Sequence, residues 1–278
     1  MIISEFIGGF GNQLFEYACA YAQARRMNTK LVLDSMFLAT DTLRNYELDS
    51  LSLRYDFVFR IPQKYPYIIK VALRKCFHFL LRIIAKNYAE RKAYVFDDKM
   101  YALSGNWRLR GYWQSEKYFK DYRDEIVSML TPTYPMTASF LKLKEQIESS
   151  NSVAVHVRRG DYVALGICLS DVYYREALLR ICQKVNDPVF YVFSDDMEYA
   201  KQLFAEFVSD QVVPICYEGH NSTIEDFLLM KSCKHNIIAN SSYSWWAAWA
   251  NVHEDKIVMA PKRENKDDFY PEEWIQVS

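Results

Sequence analysis

Two adjacent arginines, a glycine and an acid stand together in "HVRRGDY", residues 156–162, directly after the apolar run "SVAV". A guanidinium carries a permanent charge and grips a phosphate with two parallel N–H donors, so arginine at the end of a strand suits an anion clamp. Two other readings compete: a solvated turn, the usual fate of a charge pair, and an Arg-Gly-Asp adhesion ligand. The adhesion reading requires an exposed loop on an exported chain and is rejected. If the strand continues past His156, Arg158 and Arg159 point to opposite sides and one of them alone acts as the clamp.

Three more polar clusters follow apolar runs. Gly8, Gly9, Gly11 and Asn12 form "GGFGN" after "MIISEF". Their spacing matches neither the G-x-G-x-x-G of a dinucleotide site nor a P-loop with its lysine. They read either as a tight strand-to-helix turn or as a close backbone approach to a ligand, with Asn12 offering an amide. Asp195 and Asp196 follow "PVFYVFS" and either cap the next helix or hydrogen-bond a ribose. Asn240, Ser241, Ser242 and Ser244 open the segment "YSWWAAWAN". Serine there is an ordinary N-cap, but hydroxyls and free N–H groups at a helix start also cradle phosphate. Trp245, Trp246 and Trp249 read as packing residues. Asp226, early in "STIEDFLLMKSC", either complements the helix dipole or accepts the two N–H donors of a guanine edge.

The elements that must hold these clusters alternate. "MIISEF" reads as a strand, "LFEYACAYAQARRM" as a helix and "TKLVLD" as a strand. In the second half "SVAVHV", "PVFYVFS", "QVVPIC", "HNIIAN" and "DKIVMAP" read as strands. Helices over 171–185, 196–207, 222–233 and in "SSYSWWAAWAN" separate them. Strands and helices in alternation predict parallel, doubly wound sheets, whose ligands sit at the carboxyl ends of the strands. "TPTYP" breaks the pattern, placing the division between an N-terminal domain, 1–140, and a C-terminal domain, 141–278, in the stretch 132–150. Residues 65–88 read as one helix in which Lys70, Arg74, His78, Arg82 and Lys86 recur every four residues, with no acid between Asp56 and Glu90. That basic face suits an anionic membrane surface, with Phe77, Leu80, Leu81 and Ile84 dipping toward the acyl boundary. The competing reading is a packed helix with a solvated basic edge.

Composition excludes some classes. The net charge of −1 over 278 residues argues against nucleic acid as a partner. Six cysteines without a C-x-x-C pair read as free thiols, and the N-terminus lacks a secretory pattern, so a cytoplasmic location is expected. Aromatic residues make up 16%, enough for both core filling and stacking on a sugar or base.

Taken in order, "GGFGNQLFEYA", "GYWQSEKYF", "HVRRGDY", "FSDD" and "NSSYSWWAAWAN" resemble the bacterial-type α-1,2-fucosyltransferases of glycosyltransferase family 11. The resemblance spans residue 6 to about 261 and departs at Tyr199, where the family often has tryptophan. It implies a GT-B-type α/β fold, two Rossmann-like domains facing a cleft, with the donor on the C-terminal domain. It implies inverting transfer of L-fucose from GDP-L-fucose to the 2-hydroxyl of a terminal β-galactoside, with no cofactor and no obligatory metal. The resemblance does not carry over the acceptor; a basic helix at 65–88 on a membrane would suit one built on a lipid carrier, such as a bacterial surface-polysaccharide (O-antigen) unit.

Residue by residue, it makes Arg158 the pyrophosphate clamp, His156 a neighbour of the nucleoside and Ser241 and Ser242 phosphate ligands. Asn240 and Asp195 line the donor site, Asp226 reads guanine, and Asn12 reaches the phosphate or acceptor across the cleft. Asp161 is either the base for the acceptor hydroxyl, which must come within about 3 Å of it, or a brace for the arginines. A non-catalytic guanine-nucleotide or sugar-binding protein remains the alternative, as does a fucosyltransferase of different linkage. An oxidoreductase on a Rossmann sheet is disfavoured by the missing glycine fingerprint.

Overall fold

Strands covered by helices on both faces are mostly apolar, and in the computed structural model several strands are buried along their whole length. Residues 1–205, 212–214, 222–265 and 267–278 are described. The chain forms two units, Met1–Tyr134 with Asp267–Pro271, and Pro135–Lys266 with Glu272–Ser278.

The first unit runs β1 (Ile2–Glu5), α1 (Phe10–Arg26), β2 (Leu31–Asp34), β3 (Phe57–Phe59), α2 (Tyr67–Ile84), β4 (Lys86–Ala89), β5 (Trp107–Arg110) and α3 (Arg123–Met129), with short 3₁₀ turns between. Its sheet has the order β3-β2-β1-β5-β4, and every pairing is parallel. All four residues of β1 and of β2 are buried. The strand period assigns alternate residues to opposite faces. Ser4 Oγ donates to the Glu16 carbonyl of α1, whereas Ile3 packs with Val32 against Leu81 and Ala85 at the end of α2. The same alternation turns Glu5, Asp34 and Arg108 toward α2, where Arg108 Nη2 lies 3.0 Å from Asp34 Oδ2 and 3.0 Å from Glu5 Oε1.

Helix α2 corrects the expectation for residues 65–88. The helix stops at Ile84, Lys86 belongs to β4, and much of the basic row faces the protein instead of solvent. Arg74 Nη1 donates to Thr40 Oγ1 at 2.5 Å, and His78 Nε2 stands 3.2 Å from Asp34 Oδ2. Phe77 and Leu81, expected to dip into lipid, pack on the sheet instead. The cause lies beneath the helix, where Asp34 at the end of β2 meets His78 and Thr40 accepts from Arg74.

The second unit runs α4 (Ala138–Ser149), β6 (Ser152–Val157), α5 (Gly160–Leu165), α6 (Asp171–Cys182), β7 (Val189–Ser194), α7 (Met197–Leu203), β8 (Val212–Pro214), α8 (Ser222–Ser232), β9 (His235–Ile237), α9 (Ser242–Ala250), β10 (Val258–Pro261) and β11 (Ile275–Val277). Its sheet order is β11-β10-β9-β6-β7-β8, again wholly parallel. Val153, Val155, Val157, Leu178, Ile181, Phe190, Val192 and Ile237 form its core. Helices α6 and α7 end earlier than expected, at Cys182 and Leu203. Parts of two expected elements, 206–207 and the ends of "QVVPIC", lie outside the described residues, as does Cys216.

The first unit ends at Tyr134, earlier than the expected 140. Backbone bonds from Ser52 N to the Thr131 carbonyl and from Thr133 N to the Ser50 carbonyl tie 131–133 to it. Residues 267–271 also belong to it, which the sequence did not signal.

Candidate active site

Because β6 lies between β7 and β9, the residues just beyond these three strands collect at one edge of the second unit. Arg158, Arg159 and Gly160 follow β6, Asp195 and Asp196 follow β7, and Asn240, Ser241 and Ser242 follow β9. Carboxyl edges of parallel sheets are where such folds bind ligands.

The two arginines do not alternate along a strand as expected, because β6 stops at Val157 and α5 starts at Gly160. Arg158 Nη1 is 2.7 Å from Asp195 Oδ2, and Nη2 is 2.6 Å from Asp161 Oδ1. A guanidinium has five donors, so this grip leaves others for a ligand. Its carbon lies 5.4 Å from the centroid of Tyr162. Arg159 turns away, 3.8 Å over the ring of Tyr199 and 3.8 Å from Asp196 Oδ2. The departure at Tyr199 therefore supplies an arginine platform.

Asp195 holds this loop by two means. Oδ1 accepts from Arg159 N at 2.8 Å, and Oδ2 would lie 2.5 Å from a Cβ on Gly160, so the close approach needs glycine there. Asp196 caps α7, accepting from Tyr199 N at 3.1 Å. In this structure the pair thus serves as anchor and cap.

On the β9 side, Ser241 is the N-cap of α9, its hydroxyl accepting from Tyr243 N at 3.3 Å. Ser242 opens the helix half-buried, while Ser244 takes up the Ala239 N–H at 3.2 Å as a structural residue. Trp245, Trp246 and Trp249 are buried and pack on one another. Asn240 Nδ2 donates to the Ile167 carbonyl at 2.8 Å, but its buried Oδ1 has no hydrogen-bond partner among the described residues. Tyr162 joins the two loops: its ring lies under Arg158 and its hydroxyl is 3.4 Å from the Asn240 carbonyl. The sequence reading missed Tyr162.

His156 is the last buried polar side chain of β6. Its ring lies 5.5 Å from Tyr243, and its Nδ1 is buried without a partner among the described residues. Burial, helped by the Arg158 charge, pulls its pKa down to about 3, so the imidazole is neutral at physiological pH. Tyr243 donates to the Thr223 carbonyl at 2.5 Å and lies 6.3 Å from Phe227. Asp226, half-buried in α8, is the immediate neighbour of Phe227 in sequence. Tyr243 was also absent from the sequence reading; "SSYSWW" offered it as one aromatic among several. Among the described residues, no group of three or more His, Cys, Asp or Glu side chains is placed to hold a metal ion.

The glycine turn and Asn12 belong to the first unit. Gly8 has φ +75°, and a Cβ on it would meet Asn12 Nδ2 at 2.6 Å. Gly9 caps α1, and Gly11 lies inside the helix rather than in the turn. Asn12 Oδ1 accepts from Gln114 Nε2 at 2.9 Å, so the second motif of the sequence, "GYWQSEKYF", meets the first here. Beneath the turn, both oxygens of buried Glu16 accept from Ile7 N, at 3.2 and 3.1 Å, and burial pushes that carboxyl well above the usual range. Glu90 takes the N–H groups of Tyr112 and Trp113 and so fixes the loop before Gln114. Gln114, Glu16 and Glu90 were not foreseen; the quoted motif could have pointed to Gln114.

Two Rossmann-like units with wholly parallel sheets, one carrying an arginine loop beside a helix N-terminus, define a glycosyltransferase of the GT-B type. The chain belongs to glycosyl transferase family 11, whose family model matches residues 4–278. It is similar to an α-1,2-colitosyltransferase of Escherichia coli, 31% identical over 294 residues, with 100% of this chain and 99% of the relative covered. It is equally similar, at 31% over 310 residues, to the O-antigen biosynthesis glycosyltransferase WbnK of the same species, covering 97% and 98% of the two chains. Mouse galactoside α-(1,2)-fucosyltransferase 2 is 28% identical, over 87% of this chain and 66% of the relative. Among solved structures, the fucosyltransferase NodZ from Bradyrhizobium matches in fold, with a TM-score of 0.52, 17% identity and coverage of 88% of this chain and 91% of that one.

Proposed function

We propose that this chain transfers L-fucose from GDP-L-fucose to the 2-hydroxyl of a terminal β-galactoside, with inversion at the anomeric carbon. One observation carries the reading: Tyr162 brings Arg158 and the start of α9 together at the carboxyl edge of the second sheet. As the glycosidic bond breaks, negative charge gathers on the departing diphosphate. Arg158 and the N–H groups after Ser241 meet that charge, aided by the hydroxyls of Ser241 and Ser242. We assign Asp161 to bracing Arg158 instead of to base catalysis, because its Oδ1 lies 2.6 Å from Nη2. Asp195 anchors the same arginine. His156, Tyr243 and Phe227 form a neutral, aromatic wall suited to a nucleobase, with Asp226 beside it to read the guanine edge.

The acceptor belongs to a bacterial surface polysaccharide, built on a lipid carrier at the cytoplasmic membrane face. The similarity to an O-antigen biosynthesis glycosyltransferase supports the polysaccharide setting. The reaction needs no obligatory metal, the guanidinium and helix terminus taking its part.

The test is incubation with GDP-L-fucose and a panel of β-galactosides in excess EDTA, followed by determination of the product linkage. An α-1,2-linked product is expected. GDP binding with no transfer to any acceptor would instead identify a nucleotide-binding protein, and turnover restored by Mg²⁺ or Mn²⁺ would overturn the metal-free reading. A second reading follows from the colitosyltransferase likeness over the full chain. Colitose is fucose without its 3-hydroxyl, so the same diphosphate grip serves both. The ratio of kcat/KM for the two activated sugars decides between them.

A further inference from the structure

Helix α2 exposes a broad band of apolar side chains together with Lys75 and Arg82. Ile68, Phe79, Leu80, Ile83 and Ile84 are between 49% and 80% exposed, although Leu81 on the opposite side is buried against the sheet. A helix lying on a sheet in water normally turns its charged residues outward; here they gather along one edge. That edge borders a recess of about 490 Å³, lined by Glu5, Arg74, Lys75, His78, Arg82 and Arg110 among others.

The charges of the recess do not cancel. Glu5 is held by Arg108 and Arg110, and Asp34 by Arg108 and His78. Arg74, Lys75 and Arg82 have no carboxylate partner among the described residues, and no acid occurs between Asp56 and Glu90. A cationic recess beside a broad apolar helix face matches the layering of an anionic bilayer, with phosphates outside and hydrocarbon within.

We propose that α2 and this recess form a docking surface for an anionic phospholipid bilayer. The outward Ile68, Phe79, Leu80, Ile83 and Ile84 enter the acyl boundary, and Arg74, Lys75 and Arg82 receive lipid phosphates. Of the residues the sequence assigned to the acyl boundary, Leu80 and Ile84 remain, while Ile68, Phe79 and Ile83 take the place of Phe77 and Leu81. It stands apart from the transferase reading, since vesicle binding needs neither donor nor acceptor.

The experiment is co-sedimentation of the full chain with phosphatidylcholine vesicles and with vesicles of equal parts phosphatidylcholine and phosphatidylglycerol, at low and high salt. Binding to the anionic vesicles that falls with salt is expected. Lys75→Ser/Arg82→Ser should weaken it on the order of 25-fold, from the contribution of each cation near such a surface. Phe79→Ser/Ile83→Ser should weaken it on the same vesicles while the melting curve stays unchanged, since both side chains are exposed. Absence of binding at low salt, or binding that neither variant alters, overturns the proposal. So does a soluble dimer dissociated by Phe79→Ser/Ile83→Ser with vesicle binding intact, which would give the face to a second copy. Inorganic pyrophosphate binding in solution with Lys75→Ser/Arg82→Ser sensitivity, without vesicle binding, would assign the recess to a soluble anion and likewise overturn it.

Discussion

Arg158 is the residue on which the chemistry turns, and its surroundings make a specific demand on it. Two carboxylates hold its fork from either side, so the guanidinium is oriented before any ligand arrives. Replacing it by alanine should cut kcat/KM by about 100-fold or more, the usual scale for one lost donor to a developing charge. Arg158→Lys should recover little, because an ammonium keeps the charge without the fork. Steady-state kinetics alongside a melting curve checks both, and near-normal turnover in the alanine variant would remove the residue from the mechanism.

His156 makes a prediction about pH. Its pKa in the folded chain is about 3, against 6.5 ordinarily. Between those values the unfolded chain binds a proton that the folded chain does not, so stability rises with pH there and is lost as pH falls. The slope is about 1.4 kcal/mol per pH unit. Urea titrations of wild type and His156→Gln from neutral pH down to mildly acid pH should differ by that slope; parallel curves would show that the imidazole is not buried as described. The sequence exposed Arg158 and His156 readily, because both interrupt or end an apolar run. It left the duties of Asp161, Asp195 and Asp196 open, because each depends on what a neighbouring strand brings alongside.

At the scale of the element, the buried strands were the legible part. "SVAVHV" and "VFYVFS" match β6 and β7, since a strand covered on both faces reads as a near-continuous apolar run. Helix α2 was legible as a helix but not in its orientation. Periodicity shows that cations share a face, not which face meets the sheet; Asp34 and Thr40, distant in sequence, meet His78 and Arg74 and decide that. Helix α5 was missed, being six residues long and preceded by charges. The glycine turn yields a test at this scale. Gly8→Ala places a Cβ on a backbone at φ +75° and against Asn12 Nδ2. Left-handed backbone costs alanine about 1–2 kcal/mol, and the displaced amide loses its bond from Gln114. A stability loss of that size by urea denaturation is expected. An unchanged midpoint would mean that the turn relaxes freely.

For the molecule as a whole, "TPTYP" spans the junction of the two units at Tyr134, whereas the return of 267–271 to the first unit has no local signal. That segment is set by contacts with residues far away in the chain. Asp268 accepts from Phe96 N at 2.8 Å and pairs with Lys117 at 2.7 Å. Phe269 is 3% exposed, with Tyr94 at 5.1 Å and Phe15 at 6.3 Å between ring centroids. Phe269→Ala should therefore cost about 3–5 kcal/mol, as for other deeply buried rings, and should loosen the first unit although it lies near the C-terminus. Hydrogen exchange at Phe15 and Tyr94 reports it; unaltered protection there would disprove the coupling. The same strap bears on how such chains are recombined. A hybrid made by joining the front of one relative to the back of another at residue 134 would carry a foreign 267–271 into the first unit's interior. A working exchange must graft that five-residue strap together with the front half, which takes three cuts rather than one.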